Sequence, residues 1–244
     1  MTRKMTRLAL GLSLLIVPVA AFAAEGETAE KNLFDMIMEG GWAMIPLGLM
    51  SLAMVYFIVQ NGLAVREKVL LRPDLFPEFI KLMQQKKISE AHALCQQNKT
   101  LFTYILGAGL ERCSDHREVN FEKVKEAIEE ASTEEVTTYM KPIDYLSIIG
   151  ATAPMLGLLG TVSGMIGAFN FLGISGSGKS SELASYIGEA LMTTAAGLVI
   201  AIPSMLFFYY YRNSFIKSTA SVGRNIGALL DTLETGEAPM GFRD

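Results

Sequence analysis

The chain has 244 residues, 50% of them hydrophobic and only 19% charged, with a mean hydropathy of +0.32. That is too apolar for a soluble domain of this length, so part of it belongs in a membrane. A net charge of -4 and a pI near 5.4 leave no basic stripe to follow phosphates, which argues against a nucleic-acid partner.

In chain order, Arg3, Lys4 and Arg7 make a basic start, "LALGLSLLIVPVA" is a short apolar core, and "AFA" supplies small residues before a cut after Ala23. Residues 1–23 therefore read as a signal peptide. The alternative is a retained extra membrane helix, but the run is shorter than the roughly 20 apolar residues needed and contains Pro18. Residues 24–41 carry Glu25, Glu27, Glu30, Asp35 and Glu39 against Lys31 alone. Between Glu39 and Arg66 there is no Asp, Glu, Lys, Arg or His, and 42–63 is read as the first membrane helix.

Residues 64–146 show helical periodicity: Phe76, Phe79, Ile80 and Met83, then Ile88, Ala91 and Cys95, then Leu101, Ile105, Leu106 and Leu110. From Phe121 the stripe Val124, Ile128, Ala131, Tyr139, Ile143 runs into a second charge-free stretch with no strong stop signal, apart from a possible kink at Pro142. One long helix is expected to continue from water into the second span, 147–172. A loop at 173–185 and a third span at 186–211 follow. The segment 212–244 carries a last helical stripe, Phe215, Val222, Ile226, Leu229 and Leu233. Arg66, Lys68 and Arg72 follow the first span, Lys141 precedes the second, and Arg212, Lys217 and Arg224 follow the third. Basic flanks stay cytoplasmic, which puts the N-terminus and the 173–185 loop outside. The fold class expected is all-α, an integral membrane protein with three spans and a helical cytoplasmic region.

"GISGSGKS", Gly173 to Ser180, satisfies the phosphate-binding pattern G-x-x-x-x-G-K-[ST]. That loop needs a buried strand before it, whereas this one follows a membrane helix on a side without ATP. A solvated Gly/Ser turn is the better reading, and ATP binding is rejected. The pairs His92/Cys95 and Cys113/His116 contain one Cys2His2 set, yet Cys95 falls on an apolar stripe, where a free cysteine acts as a small hydrophobe. No metal, cofactor or catalytic residue is expected, and the two cysteines, both on the reducing side, are expected to form no disulfide.

In the second span Gly150, Ala153, Gly157, Gly160, Gly164 and Gly167 alternate by three and four. They line one face with small residues that let another helix approach closely. The seam can serve packing inside one subunit or against neighbouring copies, and a homo-oligomer is expected. Polar groups are scarce enough to be informative, and those singled out are Thr161 in the second span, then Glu189, Thr193, Thr194 and Ser204 in the third. Glu189 is the only Asp, Glu, Lys, Arg or His of the three spans. A carboxylate at that depth faces a bundle interior or a water path, or reaches the interface from near the helix end. Hydroxyls do not titrate near neutral pH, so a proton relay through mid-membrane would need a carboxylate from a partner.

"GATAPMLGLLGTVSGMIGAF" from Gly150 to Phe169 and "EALMTTAAGLVIAIP" from Glu189 to Pro203 closely resemble the two characteristic helices of the MotA/TolQ/ExbB proton-channel family. "APMLGLLGTV" favours the ExbB and TolQ branch. The resemblance implies an inner-membrane pentamer around the membrane helices of a small ExbD-like or TolR-like partner that carries an essential aspartate. It further implies work passed to a TonB-like protein for outer-membrane transport, or to a TolA-like protein for envelope integrity. It maps pore-lining threonines onto Thr161 and Thr194, a helix-two proline onto Pro154 and a helix-three acid onto Glu189. Thr193 is a further candidate, although many relatives have alanine there.

Overall fold

The computed structural model describes residues 41–113, 119–175 and 180–237. The signal-peptide reading of 1–23 and the acidic segment before Gly41 lie outside the described residues. Among the described residues every regular element is helical: α1 (Met44–Ala64), α2 (Glu67–Leu71), a 3-10 turn (Pro73–Leu75), α3 (Phe76–Gln84), α4 (Ile88–Gln97), α5 (Leu101–Glu111), α6 (Phe121–Ser175) and α7 (Ser180–Thr235). Three of them, α1, α6 and α7, are long and apolar enough to cross a membrane.

Helix α1 buries little beyond Leu47 and Asn61, and Ile45 and Leu52 are 71% and 70% exposed. A surface so apolar is stable only against lipid or another chain. Helices α6 and α7 have 55 and 56 residues, roughly 80 Å each at 1.5 Å per residue, against a hydrocarbon core of about 30 Å. Each therefore continues well beyond its apolar stretch, as the missing stop signal before the second span predicts. The two helices leave only 176–179 between them, so most of the 173–185 segment read as loop is helical. Its Gly and Ser residues weaken a helix without forbidding one, and the flanking periodicity carries through.

The α6/α7 pair is a long antiparallel hairpin with a three–four repeat of buried residues. On α7 these run Ala190, Thr193, Gly197, Ile200, Ser204, Phe208, Tyr211, Phe215, Ser218 and Val222, and on α6 they include Ile143, Leu146, Gly150, Ala153, Gly157 and Gly160. This is the spacing of a left-handed helix pair. The side chains change in size along the seam for a physical reason. In the apolar half, burial gains nothing over lipid, so small residues maximise close contact. In the other half, water supplies the drive, and Phe215, Val222, Ile226, Leu229 and Leu233 fill the seam. Helices α3 to α5 pack on that end, with Phe79 and Phe102 edge-to-face at 5.6 Å and Leu101, Ile105, Leu106 and Leu110 buried behind them. Helix α5 starts with a capping box in which the Thr100 and Thr103 side chains each bond the other's backbone N–H.

Candidate functional site

The glycines of the second span are occupied within the hairpin. A Cβ on Gly157 would stand 2.7 Å from the Thr193 carbonyl oxygen and 2.9 Å from Thr194 Cα; one on Gly160 would fall on the Thr193 hydroxyl, 2.7 Å from its Cβ. On Gly164 it would meet the Ala190 methyl at 2.9 Å, and on Gly150 the flexible Met205 side chain at 2.6 Å. Gly167 is looser, with the Tyr186 ring at 3.6 Å. Gly197 answers from α7, where a Cβ would come within 2.6 Å of the Ala153 carbonyl. This partner was not singled out from the sequence, although Thr193, Gly197 and Ala201 repeat by four and carry the signal.

Close approach lets backbone carbonyls serve as acceptors across the seam. Thr193 is 1% exposed, and its hydroxyl donates to Ala190 O at 2.7 Å and Gly157 O at 3.1 Å, sharing one proton between two helices. The Thr161 hydroxyl donates to Leu158 O at 2.7 Å. The Thr194 Oγ1 is buried without a hydrogen-bond partner, as is the Ser204 Oγ. An unpaired buried hydroxyl costs on the order of 1–3 kcal/mol.

Helix geometry sorts these groups by side. Gly160 and Thr193 face each other, and Thr161 and Thr194 each stand about 100° further round their own helix. Because the helices are antiparallel, those turns carry both threonines to the same flank, with Pro154 near it. Glu189 lies one turn before Thr193 and faces the other flank, where α1 packs. The helices thus place Thr161 and Thr194 on one flank, bury Thr193 in the seam, and turn Glu189 away from that flank.

On the α1 flank, a partly open cavity of about 170 Å³ is bordered by Glu189, Trp42, Ser163, Tyr186 and Gly41. The Trp42 indole N–H donates to Ser163 Oγ at 3.2 Å. Gly41 has φ +65, and a Cβ there would coincide with the Glu189 Oε1. Its backbone conformation and the carboxylate beside it both require glycine. Gly41, Trp42 and Ser163 were not read as site residues, since nothing local in the sequence links them to Glu189.

Two other motifs have plain surroundings. "GISGSGKS" is flanked by helix on both sides, α6 ending at Ser175 and α7 starting at Ser180; residues 176–179 lie outside the described residues. Cys95 is buried against Gly107, and burial pushes its thiol up to about 12. The Cys113 Sγ lies 3.6 Å from Gly109 O, His92 faces Glu111 at 3.9 Å, and His116 lies outside the described residues.

Three apolar spanning helices, two of them a glycine-seamed hairpin with threonines on one flank and a lone carboxylate on the other, define a helical integral membrane protein whose few polar groups are gathered at the hairpin. Residues 97–222 match the MotA/TolQ/ExbB proton channel family, and the chain belongs to it. The chain is similar to the ExbB-like biopolymer transport protein 1 of Synechocystis sp., 35% identical over 189 residues that cover 74% of this chain and 71% of the relative. It is also similar to the biopolymer transport protein ExbB of Xanthomonas campestris pv. campestris, 43% identical over 101 residues, 41% of this chain and 38% of the relative. The biopolymer transport protein ExbB of Neisseria gonorrhoeae is 47% identical over 75 residues, 29% of this chain and 34% of the relative.

Proposed function

We propose that the chain is an ExbB-like stator subunit of a proton-driven motor in the bacterial inner membrane, with its N-terminus and the Glu189 end of the hairpin outside. Copies of it, five in the arrangement the family resemblance implies, surround the membrane helices of an ExbD-like partner. The partner supplies the titratable aspartate and hands work to a TonB-like protein for outer-membrane transport. A TolQ-like role in envelope integrity uses the same subunit chemistry with a TolR-like partner. No catalytic residue, cofactor or nucleotide enters this reading.

One observation carries it. Glu189 is the only Asp, Glu, Lys, Arg or His of the three spans, and it lies toward one end, while hydroxyls occupy the middle. A wall of this kind hydrates and orients a proton carrier without being one. Thr161 and Thr194, on one flank, are the groups that would face the partner helix. Each elementary charge crossing is worth about 2.3 kcal/mol per 100 mV, which is the energy such a motor would draw on.

The test is to purify the chain with its genetically neighbouring ExbD-like partner and measure uncoupler-sensitive activity. Thr161→Val and Thr194→Val keep shape and remove the hydroxyl, so assembled complexes without proton-dependent activity are expected. If both variants assemble and work at the wild-type rate, the flank is passive and a glycine-packed scaffold is the better account.

A further inference from the structure

Glu189 does not face the flank that carries Thr161 and Thr194. Its carboxylate borders a cavity inside its own subunit, walled by the turn that precedes α1 and by α6 and α7, and it makes no hydrogen bond or ion pair among the described residues. A carboxylate in an apolar bundle without a cation or a donor is costly unless water reaches it. The cavity's roughly 170 Å³ leaves room for several waters, and the Ser163 and Thr193 hydroxyls beside it can hold them.

One side of the cavity is built by the turn that leads into α1. Gly41 takes φ +65 and the chain turns there, with Gly41 O accepting from Met44 N at 3.2 Å and Trp42 O from Ile45 N at 3.3 Å. That turn keeps the backbone just clear of Glu189 Oε1. It also sets the Trp42 ring, 55% exposed, at the cavity's edge, where its N–H is held by Ser163. An indole fixed by one exposed hydrogen bond is a movable flap, because breaking that bond to water costs only about 1 kcal/mol.

We propose that this cavity is an aqueous vestibule within each subunit, through which water from the outer phase reaches Glu189, and that Trp42 gates it. The proposal rests on the motor reading for its direction and purpose, but the vestibule itself is a property of this chain. It separates two tasks: the Thr161/Thr194 flank serves the partner, and the α1 flank serves solvent.

The probe is Gly167→Cys, which borders the cavity, leaves the Trp42–Ser163 bond intact and places its Cβ in ordinary contact with Tyr186. In a chain with Cys95→Ala and Cys113→Ala, sealed spheroplasts are treated from outside with a cationic and an anionic methanethiosulfonate of equal size. The new thiol should react, and the cationic reagent should be faster by about tenfold, because the carboxylate bordering the same cavity attracts one reagent and repels the other. Glu189→Gln should reduce that ratio to near one, and Trp42→Ala should raise both rates several-fold. An unreactive thiol, or a charge preference that survives Glu189→Gln, overturns the vestibule. In the partner complex, Trp42→Phe keeps the bulk and loses the N–H, so uncoupler-sensitive activity should change; an unaltered rate alongside loss in Glu189→Gln overturns the gate. If the wild-type complex shows no proton-dependent activity, the motor reading fails, while the charge-dependent labelling still decides the vestibule.

Discussion

The Asn61 side-chain amide donates a 2.9 Å hydrogen bond to the Pro142 carbonyl from a position with no solvent exposure. Close by, the Tyr211 hydroxyl donates to Ile58 O at 3.0 Å. These two bonds fasten the far end of α1 to α6 and α7, just where the apolar stretches end, while the Asn61 Oδ1 is left buried without a partner. Their energies differ in sign. Tyr211→Phe loses one bond and should lower stability by about 1 kcal/mol. Asn61→Leu also loses a bond but removes an unpaired acceptor, whose burial costs about 1–3 kcal/mol, so it should melt at or above wild type. Thermal unfolding in detergent reads both; a large loss in Asn61→Leu would mean that its amide is needed to hold α1.

The glycine seam allows a graded series. Gly157→Ala pushes a methyl into backbone at 2.7 Å, which neither helix can move cheaply, and overpacking of this kind costs on the order of 1–3 kcal/mol. Gly167→Ala meets only an ordinary contact at 3.6 Å, so the helix-propensity gain of about 0.5–1 kcal/mol should dominate and stabilise. Denaturation in mixed detergent should rank Gly167→Ala above wild type and Gly157→Ala below it. Equal losses in both would show that the seam is not spaced as described.

The three spans are legible because charge-free runs of that length are rare in chains that fold in water. The continuation of the second span is legible as well, since the apolar stripe from Val124 to Ile143 meets no glycine and no strong stop signal other than Pro142. The small-residue face on α6 can be read too, but spacing alone does not say what fills it; Gly197 and Thr193 do, the latter bonding Gly157 from 36 residues away. The cavity is not legible. Trp42 and Ser163 are 121 residues apart, and the flank to which Glu189 turns depends on the register of three helices. The family resemblance named Glu189 beside Thr161 and Thr194, and a helical step of about 100° per residue turns it to a different flank of the hairpin.

The region built by α3 to α5 should lose stability in alkali. Burial raises the Cys95 thiol from an ordinary 9.0 to about 12, and Cys113 is raised for the same reason. Tyr104 is raised chiefly by the nearby Glu134 carboxylate, and Tyr139 chiefly by burial. In each case the folded chain holds its proton more tightly than the unfolded one. For Cys95 the stability this gives is complete below pH 9.0 and is lost as pH rises toward about 12. Cys95→Ala should flatten that slope, as followed by helical circular dichroism from about pH 8 to about pH 11. Cys95 should also react with thiol reagents only on unfolding, since the thiolate is the nucleophile.

Orientation has a direct check. Ile174, 88% exposed, ends α6 at the Glu189 end, and Lys123 begins it at the other. In sealed spheroplasts of a cysteine-free chain, Ile174→Cys should be labelled by an impermeant thiol reagent, and Lys123→Cys only after lysis. The reverse pattern would invert the topology. The same chain carrying Lys179→Ala should keep uncoupler-sensitive activity unchanged, because the phosphate-binding pattern around it is flanked by helices; loss of activity would reopen nucleotide binding.

Neighbouring threonines should separate folding from function. Thr193 is 1% exposed and its hydroxyl joins Gly157 O on α6 to Ala190 O on its own helix. Thr193→Val keeps the shape but leaves Gly157 O without its cross-seam donor, so it should destabilise the hairpin by about 1 kcal/mol. Thr194 stands one residue further, on the flank proposed to face the partner, and its hydroxyl is buried without a hydrogen-bond partner. Thr194→Val removes that unpaired group and should leave the isolated chain as stable as wild type or more so, while the complex loses proton-dependent activity. Thr194→Ser restores a hydroxyl and should recover activity in part. Stability is read by melting the chain alone, and function by uncoupler-sensitive activity with the ExbD-like partner. If Thr194→Val loses stability and activity together, its hydroxyl serves packing, and the division between a structural seam and a functional flank fails.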